Sequence, residues 1–304
     1  MSLSHGHILK EMTIEELTTI ELLNNGFYDA SKASKWKPAT QRYHSNLLLN
    51  NMELQTDLRN GTYRVQPTVN FWIHERGKPR YIESPTIRDR IVQKVLTQQI
   101  LIPYLTKPII YDNYASLKGR GTTFARKRTD IILHRFVRKH GIDGYVLLID
   151  IKKYFPSIDH AILKEMVHAR INESPEIMNL IDYVIDCSSD SDVGLNLGSE
   201  APQIFAVYYL NPVDTYIKTV RGVKYYCRYM DDLMILSESK EELKDLLDGI
   251  IEQLAKLKLS INERKTHITK LSNGFTFLQV KYSVDRKKTH TQETGKGAEK
   301  TSQI

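Results

Sequence analysis

Between residues 12 and 60 apolar positions recur at helical intervals, first through EELTTIELL and again through LLLNNMELQTDL, before the turn signal Asn60-Gly61. The pattern then changes to β-favouring arms, FWIHE and PRYIE, on either side of Gly77, which predicts a hairpin. Ile91, Val95, Leu96, Ile100 and Leu101 fall on one face of the next segment and predict a helix. Residues 145–150, YVLLID, form the short unbroken apolar run of a buried strand that ends on an aspartate.

Further helices are predicted from Ser157, with Ile158, Ile162, Leu163 and Met166 at helical spacing, and from Pro202 to Ile217, separated by a polar, glycine-containing loop over 188–200. VKYYCRY and LMILS flank Met230-Asp231-Asp232, a β-hairpin pattern with two carboxylates at its tip. Ser239 and Glu242 make a capping-box signal ahead of an amphipathic helix carrying Leu243, Leu246, Leu247, Ile250, Ile251 and Leu254. Past Tyr282 only Val284, Ala298 and Ile304 are apolar, so 283–304 is expected to be a disordered polar tail. Helices alternating with short strands predict an α+β fold for about residues 10–282.

Composition narrows the class. A chain of 304 residues that is 41% hydrophobic and 26% charged is that of a folded protein. No apolar run approaches the roughly 18–20 residues of a membrane span, and the N-terminus lacks the basic and apolar regions of a signal peptide. A soluble, cytoplasmic protein without a membrane partner is expected. Cys187 and Cys227 form no CxxC pair, and the ten histidines have no metal-ligand spacing. Charge is the sharper signal. The net +7 conceals a segment, residues 71–140, with 15 basic and 5 acidic residues, while the remainder carries a net −3. Its cations are interleaved with Trp72, Tyr81, Tyr111, Tyr114, Phe124 and Phe136, the footprint of a surface that tracks phosphates.

Asp150 closes the apolar strand, and Asp231 and Asp232 stand together at the hairpin tip. Adjacent carboxylates repel by about 1 kcal/mol in water and more at lower dielectric, so their pairing calls for a cation. Hard divalent ions such as Mg²⁺ take oxygen ligands and share them with substrate phosphates. If strand and hairpin are neighbours in one sheet, Asp150 and Asp231 converge and can hold two metal ions, the arrangement of nucleotidyl transfer. Asp-Asp in a hairpin is also good turn chemistry without any ligand.

Seven blocks in order carry a resemblance. Tyr229-Met230-Asp231-Asp232 resembles the YxDD signature of reverse transcriptases, and Asp150-Ile-Lys-Lys-Tyr-Phe155 their first palm motif. Gly194 to Gly198 with Ala201-Pro202-Gln203 is similar to the second, Asn262-Glu263-Arg264-Lys265-Thr266 to the lysine-bearing block, and Gly274-Phe-Thr-Phe-Leu278 to the primer grip. Upstream, Lys78-Pro79-Arg80 with Pro85 to Arg90, and Tyr114 to Gly121, resemble the fingers blocks of bacterial reverse transcriptases. The pattern is most similar to the bacterial lineage of diversity-generating-retroelement and prophage enzymes, and more distantly to group II intron enzymes.

The resemblance implies a right-hand polymerase fold: an N-terminal helical region over 1–60, basic fingers over 61–144, a palm over 145–270 with a helical insertion near 157–200, and a primer grip over 271–282. It implies two Mg²⁺ ions, with Mn²⁺ as a substitute, on Asp150, Asp231 and Asp232. Lys265 then protonates the leaving pyrophosphate, Lys78 and Arg80 contact the triphosphate, Phe155 blocks a 2′-hydroxyl, and Gln203 lies against template and nucleotide. Arg88, Arg90, Lys118, Arg120, Tyr229, Phe277 and Leu278 become contacts to nucleic acid. The implied partners are an RNA template, a DNA or RNA primer and dNTPs. Only about 22 polar residues follow the primer-grip block, so the helical thumb of such polymerases is absent from the pattern. Either an accessory protein or second chain supplies that function, or the sequence is a truncated reading frame or a fragment. The alternative implied by its absence is a nucleic-acid-binding subunit of a retroelement or phage-defence ribonucleoprotein with little or no synthesis. Other palm enzymes, such as RNA polymerases or nucleotide cyclases, fit poorly with a bulky Phe155.

Overall fold

A computed structural model describes residues 11–75, 78–196, 198–284, 288–293 and 299–303; the side chains of residues 75, 78, 80 and 81 and of everything after 284 lie outside the description. In chain order the elements are α1 (Ile14–Leu17), α2 (Ile20–Ser31), α3 (Pro38–Ser45), α4 (Leu47–Arg59), β1 (Val69–Glu75), β2 (Lys78–Ser84), α5 (Ile87–Leu96), α6 (Ile102–Leu105), α7 (Thr122–His140), β3 (Tyr145–Asp150), α8 (His160–His168), α9 (Pro175–Asp186), α10 (Glu200–Tyr209) and α11 (Asn211–Thr215). They continue with β4 (Tyr226–Tyr229), β5 (Asp232–Ser237), α12 (Lys240–Lys256), β6 (His267–Lys270), β7 (Phe275–Phe277), β8 (Val280–Val284), β9 (Lys288–Glu293) and β10 (Glu299–Gln303). The architecture is α+β, as the alternation of patterns predicts.

The chain folds as two units. The described residues of Met1–Lys107 and His160–Ile204 form one, and those of Pro108–Asp159 and Phe205–Ile304 the other. In the first, Thr13 and Glu16 close a reciprocal capping box on α1, and Thr19 caps α2. α2 runs close against α5 because residue 26 is glycine: a Cβ there would stand 2.8 Å from a Val95 methyl. The predicted hairpin forms as β1 and β2, in antiparallel register from Val69↔Ser84 to Glu75↔Lys78.

The second unit is built on an antiparallel sheet in the order β4-β5-β3-β6. β3 is its spine. Val146, Leu147, Leu148 and Ile149 are all buried, the burial on both faces that an unbroken apolar run predicts. α7 covers one face with Ala125, Ile132, Leu133, Phe136 and Val137, which join Val146, Leu148, Met234 and Leu236 in one core. Sequence reading registers this helix only as a basic stretch, because eight basic residues between 108 and 140 mask its apolar stripe. α12 begins at the expected cap, Ser239 Oγ accepting from the Glu242 N–H at 3.1 Å.

Several boundaries differ from the sequence-based expectation. The helix predicted from Ser157 starts at His160, because Phe155–Ser157 makes a 3₁₀ turn around Pro156 and Ile158 is extended. The helix expected over 202–217 is interrupted at Leu210, just before Pro212, and resumes as α11. Residues 108–144, expected with the fingers, belong to the unit that contains β3. The expected disordered tail contains β9 and β10, which extend the β7-β8 hairpin into a four-stranded sheet. Backbone pairing on the open edge of β8 requires no apolar side chains, so a polar composition alone does not exclude it.

Gly144 leads into β3 where a Cβ would stand 2.5 Å from the Phe136 ring and 3.1 Å from the Ser237 carbonyl. Gly144→Ala should therefore cost about 1–3 kcal/mol through overpacking. Chemical denaturation reads this directly, and an unchanged midpoint would contradict the tight approach.

Candidate active site

β3 delivers Asp150 to the end of the sheet, where it pairs in register with Asp232, the first residue of β5. Residues directly opposite on antiparallel strands project to the same face, with Cβ atoms about 4.5–5.5 Å apart. Tyr229 pairs with Asp232 on the other side, so β4 and β5 are joined by a two-residue turn, Met230-Asp231. Met230 has φ +53°, the left-handed value that such primed turns require. A side chain there costs roughly 1–2 kcal/mol, and such strain concentrates at functional sites. The Asp231 carbonyl accepts from the Ile151 N–H at 3.3 Å, tying the turn to the residue after Asp150.

Both carboxylate oxygens of Asp150 are engaged by the block behind the sheet. Asn262 Nδ2 donates to Oδ1 at 2.8 Å, and Lys265 Nζ donates to Oδ2 at 2.6 Å. The Lys265 ammonium is held above the ordinary lysine range chiefly by that hydrogen bond; desolvation opposes it, and the charges of Asp150, Asp232 and Asp231 add to it. A cavity of about 370 Å³ is lined by Asp150, Asp232, Arg264, Lys265, Phe277 and Leu278. The Gly274–Leu278 block thus shares a cavity with the carboxylates. It turns there through Leu278 and Gln279, both at positive φ (48° and 63°), which completes a primed hairpin between β7 and β8.

The turn that carries Asp231 rests on a buried arginine that sequence reading missed. Arg228 is fully buried and forks onto Asp214, also fully buried, with Nη2 at 2.6 Å and Nε at 2.9 and 3.1 Å. Its remaining donors reach the carbonyls of Val207 at 2.9 Å and Met230 at 3.0 Å. Tyr226 also donates to Asp214, at 2.5 Å. Burial works against the guanidinium charge, and the Asp214 carboxylate more than offsets it, leaving the group above the ordinary arginine range. The only sequence signal was an arginine inside an apolar strand. Tyr154 is a second missed anchor: its buried hydroxyl donates to the Ala206 carbonyl and fixes the turn that presents the half-buried Phe155 beside it.

The other candidates separate. Tyr229 is half-buried at the end of β4, and Lys118 is exposed. Arg120 is spent on its own loop, donating to the carbonyls of Asn113 at 2.6 Å and Tyr111 at 3.0 Å. Gln203, Lys78, Arg80, Arg88 and Arg90 belong to the other unit. There Arg88 pairs with Asp57 at 2.5 Å and lies over the Tyr63 ring, while Arg90 donates to Ser34 and the Ala30 carbonyl. The guanidiniums of Arg88, Arg90 and Arg120 therefore tie the fold together. Gln203 lines a cavity of about 340 Å³ with Arg90, Lys94 and Glu200. The side chains of Lys78 and Arg80 lie outside the described residues.

Among the described residues, no three His, Cys, Asp or Glu side chains are already gathered into a cation site. The donor set still suits a hard cation. Asp150, Asp231 and Asp232 supply only carboxylate oxygens, all three act on Lys265, and Mg²⁺ sites usually use one or two carboxylates and complete their shell with substrate phosphates and water.

Against known proteins, a family model described as reverse transcriptase (RNA-dependent DNA polymerase) matches residues 69–282. No curated protein sequence matches the chain. Among solved structures, apo telomerase from Candida tropicalis truncated from its C-terminal domain is similar, with a TM-score of 0.53 at 14% identity over 84% of this chain and 60% of that one. Apo telomerase from the same organism gives 0.51 at 14% identity, over 79% and 52% respectively. The chain thus spans three fifths or less of the length of these structures, and at this identity the likeness is one of fold.

Removing one partner of a buried ion pair strands the other charge. Asp214→Asn should therefore cost about 3–5 kcal/mol, whereas the paired replacement Asp214→Leu with Arg228→Met should recover much of that loss. Thermal melts of Asp214→Leu, Arg228→Met and the double variant test the coupling. Simply additive losses would show that the pair does not act as a unit.

Proposed function

The chain belongs to the reverse transcriptase family, and from that membership we propose that it is an RNA-directed DNA polymerase extending a primer 3′-hydroxyl with dNTPs on an RNA template. One observation carries the reading: Asp150 and Asp232 face each other across adjacent strands, with Asp231 in a strained turn beside them and a protonated Lys265 on Asp150. A binding module has no use for three repelling carboxylates held this way.

Asp150 and Asp231 are the proposed holders of two Mg²⁺ ions, or Mn²⁺, with Asp232 in support. Bound there, divalent cations supply charge neutralisation at the attacking and leaving oxygens. The chain's own residues do the rest. Lys265, kept protonated by Asp150, donates its proton to the departing pyrophosphate, an effect worth typically 10²–10⁴ in rate. Phe155 supplies the ring that, beneath the incoming sugar, excludes a 2′-hydroxyl. Phe277 and Leu278 hold the primer end, Gln203 reads the template–nucleotide pair through its two-sided amide, and Lys78 and Arg80 take the triphosphate. The YMDD core, Phe155 to Leu163 and Tyr111 to Thr122 support placement in the bacterial lineage that includes diversity-generating-retroelement and prophage enzymes.

Given poly(rA), oligo(dT), dTTP and Mg²⁺, the protein should extend the primer, and Asp231→Ala should abolish extension. Failure of the wild type with both Mg²⁺ and Mn²⁺ would return the reading to a nucleic-acid-binding subunit. Phe155→Val should relax discrimination against ribonucleotides, measured as the ratio of kcat/KM for dTTP and UTP. An unchanged ratio removes Phe155 from that role.

A further inference from the structure

The basic excess that sequence reading assigns to one surface is divided by the fold, and its larger share has no part in the candidate active site. α7 places Arg128, Arg135, Arg138 and Lys139 along one side of a cleft of about 520 Å³, with Lys224 and Tyr225 also lining it. Positions seven, three and four apart share a helix face, and ten residues of helix make a stripe roughly 15 Å long.

Only Arg128 is paired, to Asp112 at 2.8 Å. Arg135, Arg138, Lys139 and Lys224 are exposed, and no ion pair engages their side chains among the described residues. Unlike Arg88, Arg90 and Arg120, these cations hold nothing together. Clustered like charges repel, so gathering four around a concave surface disfavours the folded state unless an anion occupies it.

The floor is rigid. Tyr225 packs edge-on against Phe136 at 5.1 Å between ring centroids, and its hydroxyl lies 3.3 Å from His140 Nε2. A ring held this way is not available to stack on bases, so the cleft is suited to backbone phosphates, which arginine forks match. Lys224 and Tyr225 precede β4, whereas the carboxylates follow its far end, roughly 15 Å away along the strand.

We propose that this cleft is a second RNA-binding site, one that grips the phosphate backbone of a structured RNA independently of its sequence and away from the catalytic carboxylates. The choice of RNA as the polyanion rests on the polymerase reading; the site itself rests on the geometry of α7 and Lys224.

The test uses the full chain in EDTA, so that binding is read without chemistry, and a fluorescein-labelled RNA stem-loop of roughly 16 base pairs. Fluorescence anisotropy gives Kd between about 50 and 200 mM salt. R135E/R138E/K139E should weaken binding by about tenfold or more and flatten the slope of log K against log salt by about two to three, the number of phosphate contacts removed. R135Q/R138Q/K139Q should do the same to a smaller degree. K244E/K256E, two reversals on the surface of α12, should leave the slope nearly unchanged. Extension of a short, saturating primer–template should keep its kcat in the α7 variants. The proposal is overturned if the α7 variants bind like wild type. It is likewise overturned if the α12 reversals weaken binding as much, which makes the effect a long-range field. Equal competition by poly-glutamate would assign the cleft to an acidic protein partner instead. An inactive polymerase that binds RNA through α7 would defeat the functional reading while leaving this one standing.

Discussion

The buried pair of Arg228 and Asp214 is the interaction on which the carboxylate-bearing end of the sheet depends. One guanidinium joins four pieces of chain: α11 through Asp214, the end of α10 through the Val207 carbonyl, β4 through its own backbone, and the Met230-Asp231 turn through the Met230 carbonyl. The backbone of the same residue also bonds to the 112–114 loop, as Arg228 N–H donates to the Asp112 carbonyl and the Tyr114 N–H donates to that of Arg228. Burying two charges is costly, and that cost is offset here because each of the three guanidinium nitrogens finds an acceptor. The result is a rigid bracket at the one place where the chain must hold an unfavourable conformation.

That conformation recurs around the site. Lys153, Met230, Leu278 and Gln279 are non-glycine residues at positive φ, and each lies in a turn beside the proposed chemistry. Asp150, Asp231 and Asp232 add mutual repulsion, which Lys265 and Asn262 offset through Asp150. Strain and repulsion are tolerated because the surroundings over-determine them: an apolar β3 on one side, and the buried anchors Arg228 and Tyr154 on the other. Order in this region is a property of the unit's packing, and local sequence preference works against it at every turn.

Charge divides in the same way. Cations drawn into the fold, such as Arg88 on Asp57 and Arg120 on its loop carbonyls, cannot be told by sequence from cations left at the surface, such as Arg135 and Arg138. The 71–140 segment reads as one basic surface only while it is a line of residues. Once folded, it contributes β1, β2, α5 and α6 to one unit and α7 to the other.

Sequence alone determined what depends on neighbours along the chain. The apolar run of β3, the spacing of Asp150 to Phe155, the hairpin that carries Asp231 and Asp232, the cap of α12 and the family itself were all legible, because periodicity, turn chemistry and motif spacing are local quantities. The apolar stripe of α7, the strands after Tyr282 and the role of Arg228 were not. An amphipathic face crowded with cations, a strand with no apolar side chains and a charge inside a sheet each contradict the local rule that would identify them. They become sensible only when partners far off in sequence, Met234 and Leu236 for α7, the edge of β8 for β9, and Asp214 for Arg228, supply the burial and hydrogen bonds that the local chain lacks.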